Sequence, residues 1–504
     1  MDRRITDLFY LLPITSYARV LVLGSLGNAV LKQLRDKTEY LKIVEDGTIQ
    51  ELEDNCFDLI CCFEDDVFES QKVMKLYRLL KSGSAVFIIM PLNNQRIIGK
   101  RNQLYNLKKS LMRSGFSDLS IYGLSPSLNN IRLSVPLSSK RLAAASLALY
   151  QPSLIKAKLR KLLAYFLGLS GFSTFWAPDR VLVARKAGGN KPESLQAFLG
   201  KLYGMEVNVA LFTGTPGYLR KPTIQIMNTT GSILGYGKIG DKSNTKEIIE
   251  NEARILSRLK NLDLGHAEVP EVKYLGGIHS DAIFLIQSTC KGHLSSAPLT
   301  PQTIHTEFLF RLFDQTKIVT DFEKSTCLKE VSTRLHVLNR QISEDWQMLI
   351  EEVLRWSADK IIGIGKIPLG LAHRDFTPWN TFLSKGRLFV FDWEFARERW
   401  PPLTDAFHFI IQKGVLVDHG NPRILWDKLF SEHSKEGRFV LNLSSRLGIC
   451  DGLKLPLLAF YLCDIITLYL DSYLKNGVIG KDELLTCWKE MLKKILSLKE
   501  NRIV

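Results

Sequence analysis

Three polar side chains in one short stretch have the types and spacing that phosphoryl transfer requires. The stretch runs from Leu371 to Phe395 and reads LAHRDFTPWNTFLSKGRLFVFDWEF, with Asp375 and Asn380 in an H-x-D-x-x-x-x-N pattern. A carboxylate can accept the proton of an attacking hydroxyl, while an amide and a second carboxylate hold Mg²⁺ on nucleotide phosphates. A predicted apolar strand, Leu388 to Phe391, follows a tight turn and ends on Asp392. We therefore expect Asp392 to return to the side of Asp375 and Asn380.

The motifs HRDFTPWN and FDWE resemble the catalytic core of the aminoglycoside phosphotransferase and choline kinase family, which are small-molecule kinases with a protein-kinase-like fold. The resemblance implies that Asp375 orients and deprotonates an acceptor hydroxyl. It implies that Asn380 and Asp392 bind Mg²⁺, and that Glu394 adds a further contact to the metal. The nucleotide would be ATP or GTP.

The same resemblance gives His373 and Arg374 an orienting role in the catalytic loop. His373 is expected to form hydrogen bonds rather than act as the base, because Asp375 occupies the base position. The family usually has Gly where Arg374 stands, and Arg is the protein-kinase version. No DFG follows the strand and no APE lies further on, which disfavours a protein kinase proper. A chance H-x-D match is the alternative, and the ordered set of further motifs argues against it.

A lysine and a glutamate precede this stretch at a kinase-like distance. Lys238 lies on a predicted strand within GYGKIG, and Glu252 lies on a predicted helix within NEARIL. The resemblance implies that Lys238 binds the nucleotide phosphates and that Glu252 holds Lys238 in place. The turn from Gly214 to Gly217 could cover the phosphates with backbone N–H groups. Because it lacks the full G-x-G-x-x-G, a simple hairpin turn is the alternative.

The predicted elements around these residues resemble a small antiparallel lobe followed by a helical lobe. Residues 189–300 form the first lobe and residues 301–504 the second, which carries the catalytic loop. After the catalytic stretch, Asp405 matches an acidic family residue of structural role. His408 is expected to be a packed residue rather than a ligand. The fold class predicted for this part is an α+β, bilobal, protein-kinase-like domain.

Residues 1–188 read differently, because short buried strands alternate with helices. Strands such as RVLVL and AVFIIM separated by helical segments predict an α/β, Rossmann-like domain with a parallel, doubly wound sheet. The order of elements resembles a class I S-adenosylmethionine-dependent methyltransferase. The cofactor loop LGSLGN has only Gly24 and Gly27, and Glu45 stands where an acidic ribose ligand is expected. Missing glycines argue against cofactor binding and favour a scaffold, although a protein that also transfers methyl groups remains an alternative.

The positive charge of the chain is concentrated in one segment. The net charge is +15, and residues 100–191 alone hold 16 lysines and arginines against 2 acidic residues. Within this segment we predict an insertion, residues 125–177, whose LIKAKLRKLLAYFLG helix has one apolar face and one basic face. Such a helix can lie on an anionic membrane surface. The alternative is a helix packed on its own domain with a solvated basic face. Nucleic acid is disfavoured, because aromatic residues are not interleaved with the charges.

Three functions are compatible with these patterns. The first is a phosphotransferase for a hydroxyl of a sugar, a saccharide or an amino alcohol, and the others are a silent nucleotide-binding module and a bifunctional methyltransferase. The eight cysteines are scattered without a C-x-x-C pair, which fits a reducing cytoplasm and no zinc site. We therefore expect a cytoplasmic protein that can contact the inner face of a membrane. The apolar run from Leu455 to Leu470 carries Asp464 and predicts a buried helix.

Overall fold

A computed structural model describes most of the chain. Its secondary structure is given for all residues except 1–2, 14–16, 26, 37, 46–48, 64–68, 92–96, 150–154, 172–175, 190–192, 215–216, 279–281, 291–297, 477–482 and 501–504. The chain divides into two compact units. Unit 1 comprises Met1–Pro216, Arg220–Lys246 and Lys273–Thr289, and unit 2 comprises Gly217–Leu219, Glu247–Val272 and Cys290–Val504.

The described residues form eighteen strands and fifteen α-helices. The strands are β1 Arg19–Leu23, β2 Tyr40–Val44, β3 Phe57–Cys62, β4 Leu80–Met90, β5 Phe116–Ser125, β6 Leu133–Pro136, β7 Asp179–Lys186, β8 Val207–Phe212, β9 Thr223–Asn228, β10 Ile233–Gly240, β11 Ala267–Glu268, β12 Val272–Gly277, β13 Ile283–Ser288, β14 Ile318–Asp321, β15 Lys366–Ala372, β16 Thr381–Ser384, β17 Arg387–Val390 and β18 Arg397–Trp400. The helices are α1 Asn28–Arg35, α2 Ser70–Leu79, α3 Ile97–Arg113, α4 Lys140–Ala145, α5 Ile155–Ser170, α6 Leu195–Tyr203, α7 Ser243–Leu259, α8 Thr303–Asp314, α9 Thr326–Leu338, α10 Glu344–Ile362, α11 Thr404–Leu416, α12 Pro422–Phe430, α13 Lys435–Arg446, α14 Asp451–Asn476 and α15 Glu483–Glu500.

Unit 1 is built on a single twelve-stranded sheet in the order β12-β13-β10-β9-β8-β6-β5-β7-β4-β3-β1-β2. Strand β12 begins at Val272, the residue at the unit boundary. Strands β2, β1, β3 and β4 are parallel, as short aliphatic runs separated by helices predict. From β4 onward the pairs β4–β7, β7–β5, β5–β6, β6–β8, β8–β9, β9–β10 and β10–β13 are antiparallel. The Rossmann-like part of the predicted fold class is therefore confirmed, and the antiparallel strands predicted for the kinase-like part are present.

The predicted boundary at residue 188 falls inside this continuous sheet. Strand β6, within the predicted insertion 125–177, pairs with β5 on one side and with β8 on the other. The pairing of β6 with β8 extends over only two residues, Leu133 and Ser134. The two compact units are defined by contacts within the chain, which do not show which segments fold independently. The three-part division at residues 188 and 300 therefore stays a prediction.

Unit 2 is mainly helical and has its own hydrophobic core. It contains helices α8 to α15 and two three-stranded sheets, β11-β17-β16 and β14-β15-β18. Helix α14 is long and apolar enough to cross a membrane by length and composition. However, 78 % of its most apolar window is buried inside the protein. The prediction that Leu455 to Leu470 forms a buried helix is thus confirmed.

A buried ion pair links α14 to the segment that follows β15. Arg374 Nη2 lies 2.6 Å from Asp464 Oδ1, and Arg374 Nε lies 3.2 Å from Asp464 Oδ2. The guanidinium of Arg334 lies 3.0 Å from Asp464 Oδ1, and the ring of Trp400 covers the Arg374 guanidinium at 4.2 Å. Burial opposes ionisation of Asp464, but Arg374 and Arg334 outweigh it and hold the pKa of this carboxyl below its usual value.

Replacing Asp464 by Asn should destabilise unit 2 by roughly 3 kcal/mol, because the buried Arg374 cation loses its counter-charge. Asp471→Asn on the same helix is a matched control, since Asp471 pairs with Lys475 at the surface. It should cost less than about 1 kcal/mol. Urea unfolding followed by tryptophan fluorescence measures both variants, because seven of the eight tryptophans lie in residues 290–504. Equal losses for the two variants would contradict the prediction.

The same variant should change the acid side of the stability profile. The depressed pKa of Asp464 means that its contribution is present above the ordinary carboxyl pKa of about 4. The contribution is lost as the pH falls through the depressed value. The unfolding free energy of Asp464→Asn should therefore fall less steeply on acidification than that of the parent protein.

A buried histidine in α8 should make the unfolding free energy depend on pH over a higher range than Asp464 does. His305 Nδ1 accepts a hydrogen bond from the Gln302 N–H at 3.0 Å, and burial lowers the pKa of His305 to about 4. Below about pH 6.5 this histidine is protonated in the unfolded chain, whereas in the folded chain it becomes protonated only near pH 4. The unfolding free energy should therefore fall by up to about 3 kcal/mol across this window. His305→Gln should remove this slope, whereas the exposed His336→Gln should retain it; an unchanged slope in His305→Gln would refute the assignment.

Candidate active site

The predicted catalytic residues lie on the loop between β15 and β16, in unit 2. A short 3-10 turn, Pro378–Asn380, begins with proline, whose fixed φ suits the first helical position. The side-chain nitrogen of Asn380 donates to the Asp375 backbone oxygen at 2.9 Å and to Asp375 Oδ2 at 2.8 Å. The five-residue spacing of the motif thus brings Asp375 and Asn380 into contact. The amide oxygen of Asn380 is then the atom that a cation would use.

His408 on α11 contacts the other carboxylate oxygen of Asp375, which the sequence did not indicate. His408 Nε2 lies 3.1 Å from Asp375 Oδ1, and His408 Nδ1 lies 3.1 Å from the hydroxyl of Tyr461 on α14. The donors are consistent if Tyr461 O–H donates to Nδ1 and Nε2–H donates to Asp375. His408 is buried, as expected for a packed residue, whereas the Asp375 side chain is 27 % exposed. The carboxylate is therefore held on both oxygens yet open to solvent.

His373 ties the loop to the strand that precedes Asp392. Its Nδ1 accepts from the Asp375 N–H at 3.2 Å, so Nε2 carries the proton and donates to the Phe391 carbonyl oxygen at 3.0 Å. The Phe391 N–H donates to the Asn380 carbonyl oxygen at 3.1 Å. These bonds agree with the orienting role that the sequence predicts for His373. They hold the ends of β15 and β17 side by side.

Asp405 anchors the backbone of the same loop from α11. Its two carboxylate oxygens accept the N–H groups of His373 and Arg374, each at 2.8 Å. Burial raises the pKa of this carboxyl, while the N–H donors and neighbouring histidines favour its ionised form. Arg374 has φ +64°, a left-handed conformation that glycine adopts freely and other residues rarely do. A glycine would adopt this φ without the steric cost that Arg374 bears.

Three carboxylates converge at the end of β17. Asp392 follows Phe391 with φ +71°, and the short turn Trp393–Phe395 comes next. One oxygen each from Glu252, Asp392 and Glu394 lies within 4.8 Å of the other two. Within the described part of the chain, this is the carboxylate group that could hold a metal ion. Oxygen ligands of this kind suit Mg²⁺.

Helix α7 brings Glu252 to this group. The side-chain nitrogen of Asn251 donates to the carbonyl oxygens of Glu394 and Ala396, both at 3.1 Å. The neighbouring Glu252 is buried beside Asp392 as a result. The sequence predicts only that Glu252 holds Lys238. The structure shows in addition that Glu252 lies together with Asp392 and Glu394. No local signal predicts this, because Glu252 and Asp392 are far apart along the chain.

The residues predicted to bind the nucleotide phosphates lie partly in unit 1. Lys238 is half-buried on β10, opposite Leu285 on β13. Gly214 has φ +80°, and a side chain there would meet the Lys221 carbonyl oxygen at 2.5 Å. Gly217 is exposed, and residues 215–216 between the two glycines lie outside the described part. The geometry of Gly214 fits a hairpin turn, and the roles of Lys238, Gly214 and Gly217 at the phosphates stay predictions.

The residues of the predicted S-adenosylmethionine site follow the carboxyl ends of β1 and β2 in the unit 1 sheet. Gly24, with φ +89°, follows β1 and donates its N–H to the Val44 carbonyl oxygen at 2.9 Å. Gly27 is the N-terminal cap of α1, and Glu45 is exposed after β2. The amide of Gly24 thus has a partner within the sheet. Cofactor binding at this edge stays a prediction.

A separate groove of about 480 Å³ lies in unit 2, at the N-terminal end of α8. It contains none of the predicted site residues. Its lining includes the cations Lys435, Arg438 and Arg446 and no carboxylate. Arg446 is already paired with Glu307 at 2.7 Å, outside the lining.

Comparison with known proteins yields matches among solved structures alone. No protein-family model matches the chain, and no curated protein matches its sequence. The thermostable mutant of aminoglycoside phosphotransferase APH(4)-Ia is 13 % identical over 60 % of this chain and 99 % of its own, with a TM-score of 0.41. The GDP and kanamycin complex of APH(2")-IIia is 12 % identical over 59 % of this chain and 97 % of its own, with a TM-score of 0.39.

A second group of solved structures resembles a smaller part of the chain. A SAM-dependent methyltransferase from Archaeoglobus fulgidus is 16 % identical over 37 % of this chain and 95 % of its own, with a TM-score of 0.24. Both families that the sequence resembles are thus represented among the similar structures. At these identities and scores the similarity concerns the path of the chain and carries nothing about substrate.

Proposed function

We propose that the protein is a phosphotransferase that moves the terminal phosphoryl group of a nucleoside triphosphate to a hydroxyl of a small molecule. The observation that carries this proposal is the way in which the Asp375 side chain is held and exposed. Asn380 and His408 hold its two carboxylate oxygens, while the side chain stays partly exposed. A fixed, accessible carboxylate is what a base for an incoming hydroxyl requires, because phosphoryl transfer depends mainly on positioning.

The donor set at the end of β17 fits Mg²⁺. Glu252, Asp392 and Glu394 offer carboxylate oxygens within 4.8 Å of one another, and Asn380 adds an amide oxygen nearby in the fold. Hard oxygen ligands of this number and charge suit Mg²⁺ better than a thiophilic metal. When bound there, Mg²⁺ would supply charge neutralisation on the nucleotide phosphates.

Asp375 accepts the proton in the proposed reaction. The acceptor oxygen forms a bond to the terminal phosphorus, and the bond from that phosphorus to the bridging oxygen breaks. The electron pair leaves with the nucleoside diphosphate, and the hydroxyl proton passes to Asp375. Sugars, saccharides and amino alcohols are the proposed acceptors, because each offers a hydroxyl of this kind.

His408 is proposed as a positioning residue for Asp375. The Tyr461 hydroxyl fixes the tautomer in which His408 Nε2–H points at Asp375 Oδ1. This bond leaves the carboxylate one orientation toward an acceptor. It also places an N–H donor on one of the two oxygens of the carboxylate.

The function is tested by Mg·ATP and Mg·GTP turnover with a panel of sugars and amino alcohols. Asp375→Asn should lower kcat by about 10²–10⁴-fold, because the base is removed. Asp392→Ala should weaken Mg·nucleotide binding as well as turnover, because a metal ligand is removed. Asp427→Ala, a mostly exposed carboxylate on α12, serves as the control and should change neither. Nucleotide binding without turnover of any acceptor would instead identify a binding module, and unchanged behaviour of Asp392→Ala would refute the metal site.

The role of His408 is tested by separating kcat from KM. His408→Asn should lower kcat by about 10–100-fold with little change in the KM for nucleotide, since misorientation of Asp375 affects the reacting geometry. Tyr461→Phe keeps the ring packing and removes only the hydroxyl, so it should lower kcat by a few-fold. Both variants should retain cooperative unfolding. A His408→Asn protein with the parent kcat, or with its loss confined to KM, would contradict a positioning role.

A further inference from the structure

Helix α5 in unit 1 has its large apolar side chains on the outside. Leu162, Leu163, Tyr165, Phe166 and Leu169 are between 39 % and 60 % exposed. At 100° per residue they cover one continuous side of the helix. We call this side, formed by these five residues, the outer face of α5. A surface helix of a soluble protein normally turns such a stripe toward the core.

Two small residues lie on the side of α5 that packs against the protein, and the half-buried Lys161 and Leu167 flank them. Ala164 and Gly168 are buried, and a side chain added at Gly168 would lie 3.3 Å from Cα of Ala144 on α4. Small residues allow the two helix backbones to approach closely, so the close contact with α4 does not involve the five side chains of the outer face. Helix α5 thus packs on its own domain through Ala164 and Gly168, while Leu162, Leu163 and Phe166 are more than half exposed. The side chains of residues 155–160 lie outside the described part.

The sequence segment that contains the outer face carries only positive charges. Residues 125–177 contain seven lysines and arginines and no acidic residue. Lys140 and Arg141 on α4, the helix that packs against α5, are both exposed. An apolar surface within a basic segment complements an anionic, partly apolar partner. Two copies of the chain would bring like charges together, which disfavours self-association through this face.

We propose that α5 docks on the surface of an anionic lipid bilayer, with its outer face at the boundary between headgroups and acyl chains. The apolar part, Lys161–Ser170, is too short to span a bilayer, so the helix would lie in the plane of the interface. Tyr165 and Phe166 are of the types that interfacial helices insert at this depth. Basic residues of the same segment would face the anionic headgroups. This proposal does not depend on the phosphotransferase activity.

The experiment is co-sedimentation of the full chain with vesicles. Vesicles of phosphatidylcholine containing about 30 % phosphatidylglycerol supply the anionic surface, and vesicles of pure phosphatidylcholine supply the neutral one. The protein should bind the anionic vesicles, and raising the salt to about 0.5 M should weaken the binding because exposed charges are screened. Equal binding to both compositions, or binding to neither, would overturn the proposal.

The variant Leu162→Gln/Phe166→Gln tests the outer face directly. It should lower the partition coefficient by at least about tenfold, because two apolar side chains no longer leave water. The matched control is Met348→Gln/Ile424→Gln, which changes two similarly exposed apolar residues in unit 2. The control should bind as the parent does, and both double variants should keep the parent Tm, since all four side chains are exposed.

Two further outcomes decide against the proposal. Undiminished vesicle binding by Leu162→Gln/Phe166→Gln would place the contact elsewhere on the protein. Light scattering supplies the other: a parent protein that is dimeric without vesicles, and becomes monomeric in this variant, would show that a second copy covers the face. A monomeric parent that loses anionic binding only in this variant supports the proposal.

Discussion

The geometry at Asp375 depends on how the backbone just before it is held. Arg374 adopts a left-handed conformation that costs a non-glycine residue about 1 kcal/mol or more. Asp405 accepts the two successive N–H groups at this bend, and Asp464 fixes the Arg374 side chain from α14. The bend directs the chain so that Asp375 meets both Asn380 and His408. Two buried carboxylates, neither of which would touch substrate, thus support the one that would.

Sequence reasoning succeeded where a single local segment sets the geometry. The spacing between Asp375 and Asn380 allows the two side chains to meet within one loop, and the β16–β17 turn brings Phe391, the residue before Asp392, back to Asn380. Lys385 and Gly386 both have positive φ, as a tight two-residue hairpin requires. These features depend on neighbouring residues along the chain, so a motif can predict them.

The parts that sequence reasoning missed depend on packing between distant segments. His408 reaches Asp375 only because α11 lies against the catalytic loop, and a histidine in an apolar helix gives no sign of its neighbour. The continuity of the unit 1 sheet rests on the short β6–β8 pairing, which no periodicity predicts. For α5 the period predicted an apolar face, whose described members Leu162, Leu163 and Phe166 are exposed. It could not tell which face packs, because that choice depended on Ala164 and Gly168 fitting closely against α4.

The two oxygens of Asp375 suggest why the site uses a histidine as well as an asparagine. Asn380 can donate to Asp375 and offer its amide oxygen to a cation, so its position is constrained by both tasks. A second donor on the opposite oxygen fixes the carboxylate independently of whether a metal is bound. His408 can serve in this way because its other nitrogen is engaged by Tyr461 in the core. In the proposed reaction the orientation of the base would therefore come from the helical core of unit 2, whereas the charge of the phosphates would be neutralised by Mg²⁺ held at the acidic group after β17.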